Sequence, residues 1–397
     1  MDQQQAKSGT SSSNGTTSKP SGGHRVVLSG GGTGGHVYPA LSVYEVLEHD
    51  PSVEAILYIG AHGHIEERIA KERGIDFVGL NVSGMPRKKS LAIFKWMFQS
   101  LKAQGQAKRI LRKFRPTVVL GTGGYASAPA LGAAKELGIP YAIHEPDAHP
   151  GLANKFFAST ASLISLGMEG AKGISSRVGK TVVNGNPIRQ GFINKLGRDA
   201  ACAVFGFRAD IPTVVITGGS QGAKAINESL SQTIQRLLDF TPPIQIVHQA
   251  GEKNIHDVKE SLDENVLLHP RYCLRAYFDD MSIVYAACDL VVCRAGAMTI
   301  SELSATATPA VFIPFPYAAQ NHQMHNARFL ESKGAAMVIP QEDLTPQKLG
   351  DVIISLFADP AKLQSMKNAM GSLGKPRASA DLAEQLKELS TQYLQRR

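Results

Sequence analysis

The stretch RVVLSGGGTGGHVYPALSVYEVLEH, residues 25–49, decides the fold. Its first five residues, RVVLS, form an apolar, β-branched run of strand length. That run passes directly into GGGTGGH (30–36), and a helical apolar pattern follows over 39–49. A strand that breaks into a glycine loop and resumes as a helix is the opening unit of an α/β sheet. Glycines let backbone N–H groups approach a phosphate, and the helix N-terminus adds about half a positive charge there.

Further along, the same design recurs. Strands are expected at 55–60 (AILYIG), 76–82 (DFVGLNV), 117–121 (TVVLG) and 141–145 (YAIHE), with helices at 64–73, 90–114 and 129–137. Such alternation implies a parallel sheet covered on both faces. The turn cluster Asn184-Gly185-Asn186-Pro187 reads as a linker. The pattern then restarts with TVVITGG (213–219) and a helix from Gln221. Later strands are expected at 244–250 (IQIVHQA), 265–270 (NVLLHP), 290–294 (LVVCR) and 310–315 (AVFIPF), and helices at 281–287, 297–305, 321–333 and 345–358. The fold class is therefore α/β: two Rossmann-like, doubly wound parallel-sheet domains facing across a cleft. The expected divisions are a disordered tail (1–23), a first domain (24–188) and a second (189–375).

Gly30, Gly32 and Gly35 match the spacing G-x-G-x-x-G. A dinucleotide site would also need an acid at the end of the second strand, where Ile59-Gly60-Ala61-His62 stands instead. What remains is phosphate binding or tight strand–helix packing. Two more glycine loops follow strands, at 121–125 and 218–222, so that loops stand on both sides of the cleft. His36 closes the first loop. A lone histidine is commonly structural, but at a helix N-terminus its pKa would be held low and it could deprotonate a hydroxyl.

The charge is uneven. The chain has 397 residues and a net charge of +8, yet 77–135 contains eleven Lys or Arg and no acid. Within it, 86–102 (PRKKSLAIFKWMFQSLK) sets Leu91, Ile93, Phe94, Trp96, Met97 and Phe98 among Arg87, Lys88 and Lys89. This is either a core helix or an interfacial anchor on anionic lipid. Stacking aromatics are sparse in the rest of the basic window, which argues against nucleic acid. No stretch approaches the roughly 18 apolar residues of a membrane span. Cys202, Cys273, Cys288 and Cys293 form no C-x-x-C pair and read as reduced, buried residues. No D-x-D triplet occurs, so a metal–diphosphate clamp is not expected, and Asp279-Asp280 reads as a helix cap before Met281.

Seven motifs in order carry a resemblance: GGGTGGHVYPAL (30–41), LGTGGYASAPA (120–130), HEPDAHPGLANK (144–155), GNPIR (185–189), GGSQGAKAIN (218–227), CRAGAMTISEL (293–303) and PFPYAAQNHQMHNA (314–327). Together they resemble the MurG family of N-acetylglucosaminyltransferases over roughly residues 25–375. The resemblance implies a GT-B fold whose last helix, about 376–397, packs back on the first domain. It implies inverting transfer of GlcNAc from UDP-GlcNAc to the C4 hydroxyl of lipid I, giving lipid II. It also implies an anionic membrane surface at the cytoplasmic face of a bacterial cell membrane. No bound cofactor is implied, and other cell-wall synthesis proteins are candidate partners.

Carried over motif by motif, the resemblance makes His36 the general base. Ser220, Arg189, the Phe278 backbone, the segment Ala297, Met298, Thr299, Ile300, Ser301 and Glu302, together with His322 and Gln323, would hold the donor. Glu302 would take the ribose hydroxyls. Thr33, Gly34 and Gly35 would approach the donor from the other side, and Gly32, Gly123, Gly124 and Tyr125 would take the acceptor diphosphate. Asp147, expected near the donor sugar, stands where the family commonly has Asn. It could bind a sugar hydroxyl, carry a raised pKa, or turn away. Three other readings stay open: a GT-B enzyme with another acceptor, a UDP-GlcNAc epimerase, and a nucleotide-binding regulator without catalysis.

Overall fold

The computed structural model describes residues 22–84, 92–169, 171, 173–194, 196–219, 221–318 and 321–397. Ser220, Arg87, Lys88, Lys89, Leu91 and nearly all of the polar tail lie outside these residues, as does the side chain of Phe94.

Two all-parallel sheets organise the chain. The first contains β1 (His24–Ser29), β2 (Val53–Ala61), β3 (Phe77–Leu80), β4 (Val118–Gly121), β5 (Tyr141–Glu145), β6 (Leu163–Leu166) and β7 (Lys180–Val183), in the order β3-β2-β1-β4-β5-β6-β7. The second contains β8 (Thr213–Thr217), β9 (Gln245–Gln249), β10 (Tyr272–Arg275), β11 (Leu290–Cys293), β12 (Ala310–Phe312) and β13 (Ala336–Val338), in the order β10-β9-β8-β11-β12-β13. Both orders reverse direction once, between β1 and β4 and between β8 and β11. Ligands of such sheets bind beyond the strand carboxyl ends at this reversal. The loops 30–36 and 121–127 flank the first reversal, and 218–223 and 294–297 flank the second.

The central strands hold because they are apolar on both faces. Val26, Val27, Leu28, Val118, Val119 and Leu120 are fully buried, as are Val214–Ile216 and Leu290–Val292. Burying each such side chain is worth about 1.5–3 kcal/mol.

Some elements differ from the sequence reading. NVLLHP is not a strand: Glu264–Leu267 is a short helix after extended Asp263, and the strand is Tyr272–Arg275. The apolar run there anchors through Val266, with Leu267 packed beside it, and a short run without alternation cannot distinguish helix from strand. Strands β6, β7 and β13 had no sequence assignment. The acidic pair does cap its helix, since the Asp280 side chain accepts from the Ser282 N–H at 2.9 Å.

The helix Ala378–Gln395 lies on the first domain. Leu382, Ala383 and Leu386 are buried in the same core as Val26, Leu28 and Leu41. Ser390 Oγ donates to Thr117 Oγ1 at 2.6 Å, and Lys387 pairs with Asp50 at 2.5 Å. The chain thus passes between domains twice, and the two passages touch. Gly185, at φ 84°, has room only for hydrogen, because a Cβ would lie 2.4 Å from Lys375 Cβ. Ser379 Oγ also donates to the Ile188 carbonyl at 3.1 Å.

Candidate active site

The two N-terminal glycine loops interlock. A Cβ on Gly123 would stand 2.7 Å from His36 Nδ1, and one on Gly124 would stand 2.2 Å from the Gly31 carbonyl oxygen. Both glycines also have positive φ, where side chains are strained. Thr122 fastens the pair, its hydroxyl donating to His36 O at 2.5 Å.

His36 is half-buried, and its Nδ1 lies 3.0 Å from the Thr122 carbonyl. A carbonyl only accepts, so Nδ1 carries the hydrogen and Nε2 keeps its lone pair in the neutral ring. Burial lowers the His36 pKa, and the charge of Asp147 opposes that shift. Asp147 is therefore close enough to act on His36 electrostatically. Its own position is set by Glu145, whose buried carboxylate accepts from Asp147 N at 3.1 Å, Gly151 N at 3.0 Å and Asn154 Nδ2 at 2.8 Å.

Gly32 turns its N–H inward, onto Glu66 Oε2 at 3.4 Å. Gly34 and Gly35 begin the helix Gly34–Leu47, where first-turn N–H groups lack intrahelical partners. Thr33 is the extended residue before it. Tyr125 stands over Gly32, where an added Cβ would meet its ring at 2.9 Å, and its hydroxyl lies 3.3 Å from His64 Nε2.

Across the cleft, Arg189 stacks between Tyr38 and Phe192, 5.0 Å from each ring centre. Its Nη2 is 3.7 Å from Glu302 Oε1, while its buried Nε has no hydrogen-bond partner. Burial raises the Glu302 carboxyl to about 7, with Arg189 pulling the other way. Glu302 closes the first half of the helix Ala297–Ala305, which begins after extended Gly296 and offers the free N–H groups of Ala297, Met298 and Thr299. Ile300 is packed into the core, and Ser301 Oγ accepts from Asn186 Nδ2 at 3.0 Å. Asn186 also accepts from buried His144 and donates to the Pro146 carbonyl, so one side chain ties the helix Ala297–Ala305 to the loop bearing Asp147.

The Phe278 N–H is occupied by Gln249 Oε1 at 3.0 Å, so of its two backbone polar groups only the carbonyl could meet a ligand. Gln323 Oε1 accepts from Phe315 N at 2.9 Å, which orients the amide so that Nε2 is its donor. His322 opens the helix His322–Ser332 beside it. His149 and His325 meet from opposite domains, with ring centres 5.2 Å apart. Sequence reasoning missed Glu66, Glu145 and Asn186, all buried and recognisable only through their partners.

The helix that carries Ile93, Trp96, Met97 and Phe98 runs Ala92–Phe114. Met97 and Phe98 are 48% and 72% exposed, joined by Leu101 at 66%. Ile93 and Trp96 are half-buried, and the indole N–H donates to the Ser83 carbonyl at 3.0 Å.

Residues 26–165 match the glycosyltransferase family 28 N-terminal domain, and 213–386 match the family 28 C-terminal domain. The chain is 39% identical over 357 residues to the UDP-N-acetylglucosamine--N-acetylmuramyl-(pentapeptide) pyrophosphoryl-undecaprenol N-acetylglucosamine transferase of Halothermothrix orenii, covering 89% of this chain and 95% of the relative. The enzyme of that name from Listeria monocytogenes is 37% identical, with 91% and 98% covered. Among solved structures, Acinetobacter baumannii MurG superposes with a TM-score of 0.72 at 28% identity, covering 92% of this chain and 99% of its own. A Neisseria meningitidis UDP-GlcNAc 2-epimerase reaches 0.63 at 15% identity over 92% and 100%, a likeness of fold alone. The chain belongs to glycosyltransferase family 28, among the N-acetylglucosamine transferases that act on N-acetylmuramyl-(pentapeptide) pyrophosphoryl-undecaprenol.

Proposed function

We propose that the chain transfers GlcNAc from UDP-GlcNAc to the C4 hydroxyl of undecaprenyl-pyrophosphoryl-MurNAc-pentapeptide, lipid I, forming lipid II with inversion at the anomeric carbon. The observation that carries the chemistry is the bond from His36 Nδ1 to the Thr122 carbonyl, which supports Nε2 as the proton acceptor by leaving it the lone pair. In the step, the C4 oxygen attacks the anomeric carbon while its proton passes to His36 Nε2. The bond from that carbon to the diphosphate oxygen breaks, and UDP leaves with the electron pair. The helix N-terminus at Ala297 and the Arg189 guanidinium stabilise the growing charge. Glu302 and the Phe278 carbonyl hold ribose and uracil, and Gln323 Nε2 and His322 hold the transferred sugar. Ser220 meets the donor diphosphate. Gly34 and Gly35 complete the pocket from the opposite domain, and Gly123, Gly124 and Tyr125 face the acceptor diphosphate.

No helix among the described residues is long and apolar enough to cross a membrane. The exposed Met97, Phe98 and Leu101 support peripheral attachment to the cytoplasmic leaflet, with the neighbouring basic residues in the anionic headgroups. The direct test uses labelled UDP-GlcNAc and a short-chain lipid I analogue. Labelled disaccharide is expected. Its absence sinks the proposal, and sugar-nucleotide turnover without acceptor would favour an epimerase.

A further inference from the structure

Glu66 stands at the start of the helix Ile65–Glu72, beneath the first glycine loop, and is 1% exposed. Its Oε1 accepts from the Ala61 N–H at 3.1 Å and its Oε2 from the Gly32 N–H at 3.4 Å. The last residue of β2 and the first glycine loop therefore hold one oxygen each. The packing is close: a Cβ on Gly31 would lie 2.0 Å from Oε1, and one on Gly60 would lie 2.7 Å from Cγ. Tyr58 supports the same loop from below, its hydroxyl donating to Gly30 O at 2.9 Å.

A buried carboxylate under a loop that must receive a diphosphate opposes that ligand electrostatically. What it contributes is direction. Gly32 has φ 86°, in a region where glycine moves freely, so the Gly31–Gly32 peptide has little intrinsic preference. Glu66 takes its N–H. Its carbonyl faces the second loop, where Gly124 leaves room for it. One peptide plane is thereby fixed between the two loops.

Resting on the acceptor site proposed above, we infer that Glu66 is a positioning residue for acceptor recognition. It clamps the Gly31–Gly32 peptide so that both glycine loops face the lipid-linked diphosphate together. The clamp does not touch the nucleotide, which binds from the other domain.

Glu66→Gln tests this. The amide keeps the shape, but its nitrogen is a donor, so either Ala61 or Gly32 loses its acceptor. The Kd of the short-chain lipid I analogue, by titration calorimetry, is expected to rise on the order of tenfold, with the Kd of UDP within about twofold of the unmodified chain. Glu66→Asp keeps the charge and should fall between the two, and it serves as the test if Glu66→Gln does not fold. In glycine-labelled protein the Gly32 amide resonance should move in Glu66→Gln while that of Gly219 stays. Unchanged acceptor affinity in a folded Glu66→Gln would overturn the clamp, as would equal losses for acceptor and UDP. Acceptor binding by the unmodified chain without disaccharide formation would sink the transferase proposal and leave the clamp standing.

Discussion

Donor affinity should depend on pH through Glu302. Burial holds this carboxyl near 7, so only about a tenth of it is ionised one unit below and about nine-tenths one unit above. Ribose hydroxyls donate best to a carboxylate: a hydrogen bond to a charged group contributes about 1.5–3 kcal/mol, against about 0.5–1.5 for a neutral one. If the ionised form is the binder, affinity for UDP-GlcNAc should rise roughly tenfold from pH 6 to pH 8, with most of the change below 7. UDP-GlcNAc is the suitable probe because its diphosphate is a diester with no ionisation in this window. Titration calorimetry in buffers of different ionisation enthalpy should register a fraction of a proton released on binding near pH 7. The effect on stability has the opposite sign to that of an ion-paired carboxylate, whose pKa is depressed. Because the folded pKa is raised, the stabilising contribution is complete below the unfolded value, near 4.5, and is lost as pH rises through about 7. The rise in melting temperature caused by donor should therefore grow between pH 6 and pH 8. Flat UDP-GlcNAc affinity over that range refutes the reasoning, and so does a Glu302→Gln variant that keeps the slope.

His36→Ala should cut turnover by about 10²–10⁴-fold while leaving UDP affinity largely intact, and parallel losses would make His36 a binding residue. Asp147→Asn removes the charge that raises the His36 pKa, so the acid limb of kcat/KM should move to lower pH; an unmoved limb would separate the two residues. Phe98→Glu should weaken sedimentation with anionic vesicles more than Trp96→Glu, whose indole is already tied to Ser83, and equal binding by both variants and the parent would discount this face. His144 and His248 are kept neutral by burial, with pKa values of about 4 and about 3. Their lowered pKa values mean that stability present above about 6.5 is lost as pH falls. The unliganded melting temperature should accordingly drop between pH 6.5 and pH 4.5, the histidines outweighing the opposing shift of Glu302.

The central strands were readable because buried parallel strands are written as short apolar runs ending in glycine. Lys180–Val183 was not, since it is an edge strand with exposed residues whose identity comes from pairing with β6. The site divides along similar lines. The glycine loops, His36 and Glu302 were marked by local motifs. The usable nitrogen of His36 was not, because Thr122, which decides it, lies 86 residues away. The missing acid after β2 excluded a dinucleotide, yet Glu66 lies a few residues on, and nothing in its spacing reveals that it faces inward. Residue type put Ile93, Trp96, Met97 and Phe98 on one apolar face, whereas the helix exposes Met97, Phe98 and the unassigned Leu101 and ties the Trp96 indole to Ser83.

The return of the last helix to the first domain has a consequence for how the protein is made. Synthesis runs from the N-terminus, so β1 and β4 leave the ribosome long before Leu382, Ala383 and Leu386, which cover one side of their core. Until the final residues emerge, that apolar side is covered only in part, by the helices Gly34–Leu47 and Ile65–Glu72, and the nascent first domain is open to chaperones. A premature stop shortly after residue 375 would keep every residue of the proposed site, yet leave the half that carries His36 without its closing piece.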